Sequence, residues 1–286
     1  MDIRTARLGL RRALTPLYGD REAAAVSEST MEHLTGLARV DRIMHEGESL
    51  TEQQSEEYLR CLSELTAWRP VQYVTGAAWF DGHRFRVDER VLIPRPETEE
   101  LVEWVAAVIG PSVIRVLDIG TGSGCIAISL KKRCPDSLVT GLDKSADALE
   151  VARQNAQAIA AEVRFVEADI LDRTSWEGLP IFDVIVSNPP YVTVEERDAM
   201  RPNVTDYEPE SAVFVEGGDP LLFYREIAAF SESRLSPGGS LFFETSASQG
   251  EAVCRLLSQL GFKDVLMRRD LQGLDRMVMC RRPMRS

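Results

Sequence analysis

The chain has 286 residues, 44% of them hydrophobic and 27% charged. This ordinary globular composition excludes wholesale disorder, collagen and coiled-coil architectures, and at about 150 residues per domain the length fits two domains or one large one. With 33 Lys and Arg against 45 Asp and Glu the net charge is −12, which disfavours non-specific binding to a phosphate backbone. The longest apolar run near the middle, residues 104–109, is far too short to span a bilayer. Met1-Asp2-Ile3-Arg4 is not followed by an apolar stretch of signal-peptide length. No membrane association and a cytoplasmic location are therefore expected. The five cysteines, Cys61, Cys125, Cys134, Cys254 and Cys280, contain no Cys-x-x-Cys pair, and the three histidines are His33, His45 and His83. Buried free thiols are expected, with neither a disulfide framework nor a metal site.

Residues 1–70 read as a small α-helical bundle. Leu8, Ala13, Leu14 and Leu17 lie on a first helix over 4–17; Tyr18-Gly19-Asp20 interrupts it, and Asp20 can cap the next helix. Gly47-Glu48-Ser49 marks a second break. Thr51 and Gln54 fit a capping box, followed by an apolar face of Tyr58, Leu59, Leu62 and Leu65 that ends at Pro70. Over residues 71–93 the period changes: Val71, Tyr73, Trp79, Phe80, Phe85 and Val87 sit among Gly76 and an Asp81-Gly82 turn signal, which predicts a β-hairpin linker. Residues 94–286 alternate between periods. Strands are predicted over 113–119, 138–142, 163–166, 181–186, 240–244, 265–267 and 277–280. Helices are predicted over 125–134, 145–160, 221–235 and 249–260, with Pro237-Gly238-Gly239 closing the third. Apolar strands alternating with helices predict an α/β, Rossmann-like domain on a mostly parallel seven-stranded sheet covered on both faces.

Asp118-Ile119-Gly120-Thr121-Gly122-Ser123-Gly124 follows the first of these strands and opens a helix. A glycine loop in that position lets backbone approach a nucleotide-type ligand. A dinucleotide loop needs a third glycine at position 125, which is Cys125 here. The pattern Gly-x-Gly-x-Gly after an acid instead resembles motif I of class I S-adenosyl-L-methionine-dependent methyltransferases. A carboxylate at Asp118 suits a cationic ligand and repels phosphate. Asp143, ending the second strand, can accept hydrogen bonds from both ribose hydroxyls. In the methyltransferase pattern Asp169 binds the adenine amino group and Ile170 packs on its ring.

The fourth strand runs into Asn188-Pro189-Pro190-Tyr191, beyond the carboxyl end of the sheet where ligands bind. Two prolines remove two backbone donors and leave carbonyl oxygen exposed. Asn188 adds another acceptor, and Tyr191 offers a flat face. Such a corner complements a planar NH2 group conjugated to a carbonyl or an aromatic ring. It can grip both N–H bonds and favour the more tetrahedral nitrogen met in the transition state. Glutamine amide, adenine N6 and guanine N2 all present such a group.

Several segments together resemble the release factor glutamine N5-methyltransferases, the HemK/PrmC family. They are Arg69-Pro70-Val71-Gln72-Tyr73-Val74-Thr75-Gly76, Leu92-Ile93-Pro94-Arg95-Pro96-Glu97-Thr98-Glu99, Asp118 to Gly124, Asp143, Asn188 to Tyr191, and Tyr207-Glu208-Pro209. The resemblance implies methyl transfer from S-adenosyl-L-methionine to the glutamine amide of the Gly-Gly-Gln motif in class 1 peptide chain release factors. It implies cofactor contacts from residues 120–124, Asp143, Ile170 and Asn188. Residues 188–191 would hold the amide, and Arg95 and Glu97 would either border the same pocket or serve a purely structural role in linking the domains. The resemblance also implies that the bundle of residues 1–70 serves substrate docking. Glu244-Thr245-Ser246 and Asp219-Pro220-Leu221 depart from the Glu-Ile-Gly and Asp-Gly-Leu usual in the family.

Two alternatives stand beside this reading. An exocyclic-amino methyltransferase acting on RNA or DNA would use the same corner with Tyr191 stacked on a flipped base. The arginine-rich tail (Arg268, Arg269, Arg276, Arg281, Arg282, Arg285) speaks for it; the net charge and scarce lysine speak against it, so nucleic acid is not expected as the direct substrate. A non-catalytic protein with a residual donor fold is opposed by the intact loops.

Overall fold

The computed structural model describes residues 1–110, 113–193, 196–197 and 200–284, with the side chain of Glu216 set aside. Arg285 of the arginine-rich tail lies outside the described residues. The chain forms two compact units, Met1–Ala77 with Arg201–Tyr207, and Ala78–Met200 with Glu208–Ser286.

In the first unit α1 (Ile3–Thr35), α2 (Arg39–Met44), α3 (Glu52–Thr66) and α4 (Val71–Thr75) surround a core that includes Leu10, Leu14, Met31, Cys61 and Leu65. The cap that starts the bundle is Asp2, whose Oδ1 accepts from the Thr5 N–H at 2.6 Å. The break expected around Gly19 is a kink inside one helical element. Gly19 alone leaves helical geometry, at φ +76°, a value open to a residue without Cβ. Thr51 and Gln54 form the expected capping box. The buried face of α3 is Tyr58, Cys61 and Leu65. Leu59 is 64% exposed, because its neighbour Tyr58 lies about 100° away around the helix.

The reading of 71–93 as hairpin needs correction at its start. Residues Val71–Thr75 are a helical turn bounded by Pro70 and by Gly76 in the left-handed region, and Val74 and Tyr73 are buried. The hairpin itself is β1 (Ala77–Phe80) and β2 (His83–Arg86). Its turn, Asp81-Gly82, has φ of +50° and +74°, the sign a two-residue hairpin turn demands.

In the second unit α5 (Pro96–Ile109) precedes β3 (Arg115–Ile119), α6 (Cys125–Arg133), β4 (Leu138–Asp143), α7 (Ala146–Ile159), β5 (Arg164–Glu167) and β6 (Phe182–Ser187). Then follow α8 (Leu222–Arg234), β7 (Leu235–Glu244), α9 (Gly250–Gln259), β8 (Lys263–Arg269) and β9 (Asp275–Arg281). The seven-stranded sheet has the order β8-β9-β7-β6-β3-β4-β5, and β9 runs antiparallel to both neighbours. Side chains alternate between its two faces as strand geometry requires. Leu241 and Phe243 join Tyr224, Ile227 and Phe230 on one side, and Phe242 joins Leu101, Val105 and Ile128 on the other.

Strand β7 starts earlier than the sequence suggests. Pro237-Gly238-Gly239 lies within it as a bulge: Phe182 pairs with Leu235, and the ladder resumes at Val184 with Ser240. Gly238 N–H donates to the Arg282 carbonyl and Arg282 N–H to the Gly239 carbonyl, both at 3.0 Å. A Pro-Gly-Gly string signals a turn locally, but tertiary pairing keeps it in the sheet.

Candidate active site

The carboxyl ends of β3, β4 and β6 open on one cavity of about 350 Å³. The loop after β3 curls over the end of β4: Gly120 N–H and Thr121 N–H both donate to the Leu142 carbonyl, at 2.8 and 2.9 Å. Gly124 starts α6 with φ +81°, and a Cβ there would lie 2.9 Å from Ile128 and 3.2 Å from Ala152. This glycine therefore lets α6 pack closely on α7. Among the described residues, nothing beyond its own chain neighbours lies within 4 Å of a Cβ built on Gly120, so that stretch of backbone faces open cavity.

Asp143 ties this loop to the next. Its Oδ2 accepts from Gly122 N–H at 2.9 Å and its Oδ1 from Ser145 N–H at 3.0 Å. Each oxygen keeps a second lone pair. Burial pushes the Asp143 carboxyl up, against these backbone donors. Asp169 and Ile170 line the far wall with Ala168, and Leu171 N–H donates to Asp169 Oδ1 at 2.9 Å.

Asn188, Pro189 and Pro190 line the opposite side, next to Ser187, whose Oγ donates to the Ile119 carbonyl at 2.7 Å. Asn188 Nδ2 donates to Thr98 Oγ1 at 3.3 Å, and Thr98 Oγ1 donates to Glu244 Oε2 at 2.6 Å. Of the residues expected at the cofactor, Gly120, Gly122, Asp143, Asp169, Ile170 and Asn188 line the cavity; Asp118, Thr121, Ser123 and Gly124 do not. Asp118 is fully buried behind the loop, where its Oδ2 accepts from Thr121 Oγ1 at 2.6 Å and Ala127 N–H at 3.2 Å. Burial lifts its carboxyl to about 7. The expectation that Asp118 meets a cationic ligand directly is thus corrected: it shapes the loop from behind.

Tyr191, Arg95 and Glu97 also lie outside this cavity's lining. The Tyr191 carbonyl accepts from Gln249 Nε2 at 2.9 Å, and burial, with Glu244 nearby, pushes its phenol up to about 12. Arg95 Nη2 donates to Glu208 Oε1 at 2.6 Å, while Glu208 Oε2 accepts from Ile93 N–H at 3.3 Å. Glu97 accepts from Gln272 Nε2 at 3.3 Å. Arg95 and Glu97 therefore hold the segment that leads into α5.

Two relatives cover nearly the whole chain. The release factor glutamine methyltransferase of Bacteroides thetaiotaomicron is 40% identical over 273 residues, 96% of this chain and 98% of that one. The chain belongs to the release factor glutamine methyltransferase family. A second member, from Flavobacterium psychrophilum, is 38% identical over 282 residues, 97% of this chain and 98% of that one. Two family profiles match parts of the chain: the PrmC N-terminal domain over residues 10–76, and the methyltransferase small domain over residues 99–205. Among solved structures, a methyltransferase from Pyrococcus furiosus matches with a TM-score of 0.51 at 17% identity, covering 70% of this chain and 89% of that one. That likeness concerns the fold.

Three residues of this family member matter to the site beyond those the sequence singles out; Asn155 and Gly141 lie in no motif, and Thr98 lies in the segment 92–99 without a role of its own there. Asn155 of α7 accepts from Arg86 N–H at 2.7 Å and donates to the Arg86 and Ser123 carbonyls, at 3.0 and 2.9 Å. It fastens the hairpin to the glycine loop. On β4, Gly141 leaves room for Thr121, since a Cβ would sit 2.8 Å from Thr121 Oγ1 and 2.9 Å from the Phe165 ring. Thr98 links Asn188 to Glu244. Sequence reading could reach these only by knowing which elements adjoin.

Four of the tail arginines contact the protein itself. Arg268 lies over the Trp104 ring, Arg269 pairs with Asp275, Arg276 pairs with Asp270, and Arg282 donates to the Leu235 carbonyl. His33, Glu57 and Cys61 come within 4.8 Å of one another, but Arg60 donates to both Glu57 oxygens, at 2.5 and 2.8 Å. The guanidinium supplies the positive charge at that cluster. Among the described residues no helix is long and apolar enough to cross a membrane.

Proposed function

We propose that the cavity holds S-adenosyl-L-methionine and that the Asn188 corner holds the side-chain amide of a glutamine in class 1 peptide chain release factors. The chain then transfers a methyl group to the amide nitrogen, in the cytoplasm where such factors work. The observation that carries this reading is that Asn188, Pro189 and Pro190 line the same cavity as Gly120, Asp143, Asp169 and Ile170.

The residues fit that cofactor. Glu89, Asp143, Asp147 and Asp169 outnumber Arg90 and Lys144 around the cavity, which favours a cation over a phosphate. Asp143 keeps acceptor capacity for ribose hydroxyls on oxygens already aligned by Gly122 and Ser145. Asp169 and Ile170 offer an acceptor and an apolar face for an adenine. When bound, the cofactor supplies a methyl group on a positively charged sulfur.

The chain's own work is positioning. An amide nitrogen is a weak nucleophile because its lone pair is delocalised. Asn188 Oδ1 and carbonyl oxygen of the proline pair can accept its two N–H bonds, favouring the geometry in which the lone pair is freed. The corner lacks proline N–H donors that would compete. Positive charge grows on nitrogen only as the methyl arrives, so a strong base is not needed before attack.

The test is labelled methyl transfer to a purified release factor, beside bulk tRNA, rRNA and DNA. Labelling of the factor, lost when its motif glutamine becomes alanine, is expected. Labelling that survives that change, or that falls on nucleic acid instead, overturns the reading.

A further inference from the structure

Glu244 ends β7 fully inside the protein, at 2% exposure, and Thr98, in the first turn of α5, is equally buried. Burying a carboxylate is costly unless it is hydrogen-bonded. The Glu244 carboxyl and the Thr98 hydroxyl lie 2.6 Å apart; an ionised carboxylate only accepts, so with Glu244 ionised the threonine supplies the proton. A threonine hydroxyl has one proton. Once that proton is committed to Glu244, the Thr98 oxygen presents only lone pairs to its other neighbour. That neighbour is the Asn188 side chain, 3.3 Å away through Nδ2. An asparagine amide has a donor end and an acceptor end, and a lone-pair partner selects the donor end.

We propose that Glu244 and Thr98 are positioning residues that set the polarity of the Asn188 amide: Glu244 fixes the Thr98 proton, Thr98 fixes Asn188 Nδ2, and Asn188 Oδ1 is left as the acceptor for the substrate NH2 group. The proposal rests on the reading of Asn188 as the residue that grips the substrate amide. It gives Glu244 a task that its neighbours Thr245 and Ser246, which depart from the family pattern, do not share. With Glu244 protonated, or replaced by glutamine, the carboxyl or amide can donate to Thr98. The Thr98 proton can then turn to Asn188 Oδ1, and the amide presents the wrong end.

The surroundings of Glu244 bear on its ionisation. Arg276 faces it from β9, Arg95 and Glu97 from the start of α5, Tyr191 from the loop after β6, Tyr224 from α8 and Cys125 from α6. Burial lifts its carboxyl to about 7, opposed by Thr98 and Arg276. Asp118 is lifted to the same range, so the pH profile is read against E244Q, in which Asp118 is intact.

The experiment measures kcat, KM for the release factor and Kd for S-adenosyl-L-methionine in full-length wild type, T98V, T98S and E244Q. It adds the side-chain amide ¹⁵N resonance of Asn188 as a function of pH. T98V should lower kcat by about 10- to 100-fold with KM and Kd changed by less than about threefold, the scale of a misaligned reacting group. T98S should recover most of the loss, because it restores the hydroxyl. Wild-type kcat should climb as pH rises through about 7, with the Asn188 resonance moving in step, and E244Q should be slow and lack that limb. Wild-type kcat in T98V overturns the proposal. So does T98S as slow as T98V, or a loss of kcat matched by cofactor affinity. If T98V does not fold, E244Q takes its place: a slow kcat without the pH limb supports the proposal, and a wild-type pH profile overturns it. If wild type labels no release factor, the proposed substrate fails, while the Asn188 titration still decides the polarity device by itself.

Discussion

Replacing Asp143 by asparagine changes one oxygen into an NH2 group at a place where both oxygens accept backbone N–H, from Gly122 at 2.9 Å and from Ser145 at 3.0 Å. Whichever way the new amide turns, one of those donors faces another donor. A hydrogen bond to a charged group contributes about 1.5–3 kcal/mol, and a buried donor left unpaired costs about 1–3 kcal/mol. In the proposed cofactor complex the ribose hydroxyls would lose a charged acceptor at the same time. The Gly122 and Ser145 donors border the cavity, so water can recover part of the folding cost, which we set at about 1 kcal/mol. The loss of cofactor affinity should be larger, about 2–4 kcal/mol, or roughly 30- to 1,000-fold in Kd. Calorimetric titration of D143N with S-adenosyl-L-methionine, beside its Tm, measures both. A Kd within about threefold of wild type, at this scale of affinity, would refute the ribose role. A lower Tm with unchanged affinity would reduce Asp143 to a loop fastener.

Other consequences can be checked in the same way. Gly141→Ala should destabilise by about 1–3 kcal/mol through overpacking, since the new Cβ meets Thr121 Oγ1 at 2.8 Å and the Phe165 ring at 2.9 Å; an unchanged Tm and cofactor Kd would show that the loop can shift freely. Asp118 and Glu244 both have values near 7 in the folded chain, against ordinary values of 3.8 and 4.5. The folded chain thus retains protons that the unfolded chain has released. Stability from this source is full below about pH 4 and is lost as pH rises through about 7. The difference between wild type and D118N in urea unfolding should therefore shrink or reverse along that window; a difference constant from pH 4 to 8 would contradict the buried carboxyl.

Much of this arrangement is legible in the chain. The glycine loop, Asp143, Asp169, Ile170 and Asn188 to Pro190 each follow a strand that its apolar run reveals, and strand ends in such a sheet converge on a ligand. What stays hidden depends on neighbours distant in sequence. Pro237-Gly238-Gly239 carries every local mark of a turn, yet its bulge is held by Arg282 and by pairing with β6. The helical turn Val71–Thr75 is too short for a period to show, and its helicity comes from Pro70, Gly76 and burial of Val74. Asp118 looks like a ligand for charge because it precedes the loop; only the packing of Thr121 and Ala127 against it turns it into a fastener. Thr98 and Glu244 are separated by most of the catalytic unit, and no spacing rule joins them.

In the proposed reaction the Asn188 corner acts on the reacting nitrogen rather than on the cofactor, and single-turnover methyl transfer by N188A on a saturating release factor separates the two. The expected rate is lower by about 2–4 kcal/mol of barrier, with the Kd for S-adenosyl-L-methionine nearly unchanged. An unaltered rate, or a rate and an affinity that fall together, would contradict it.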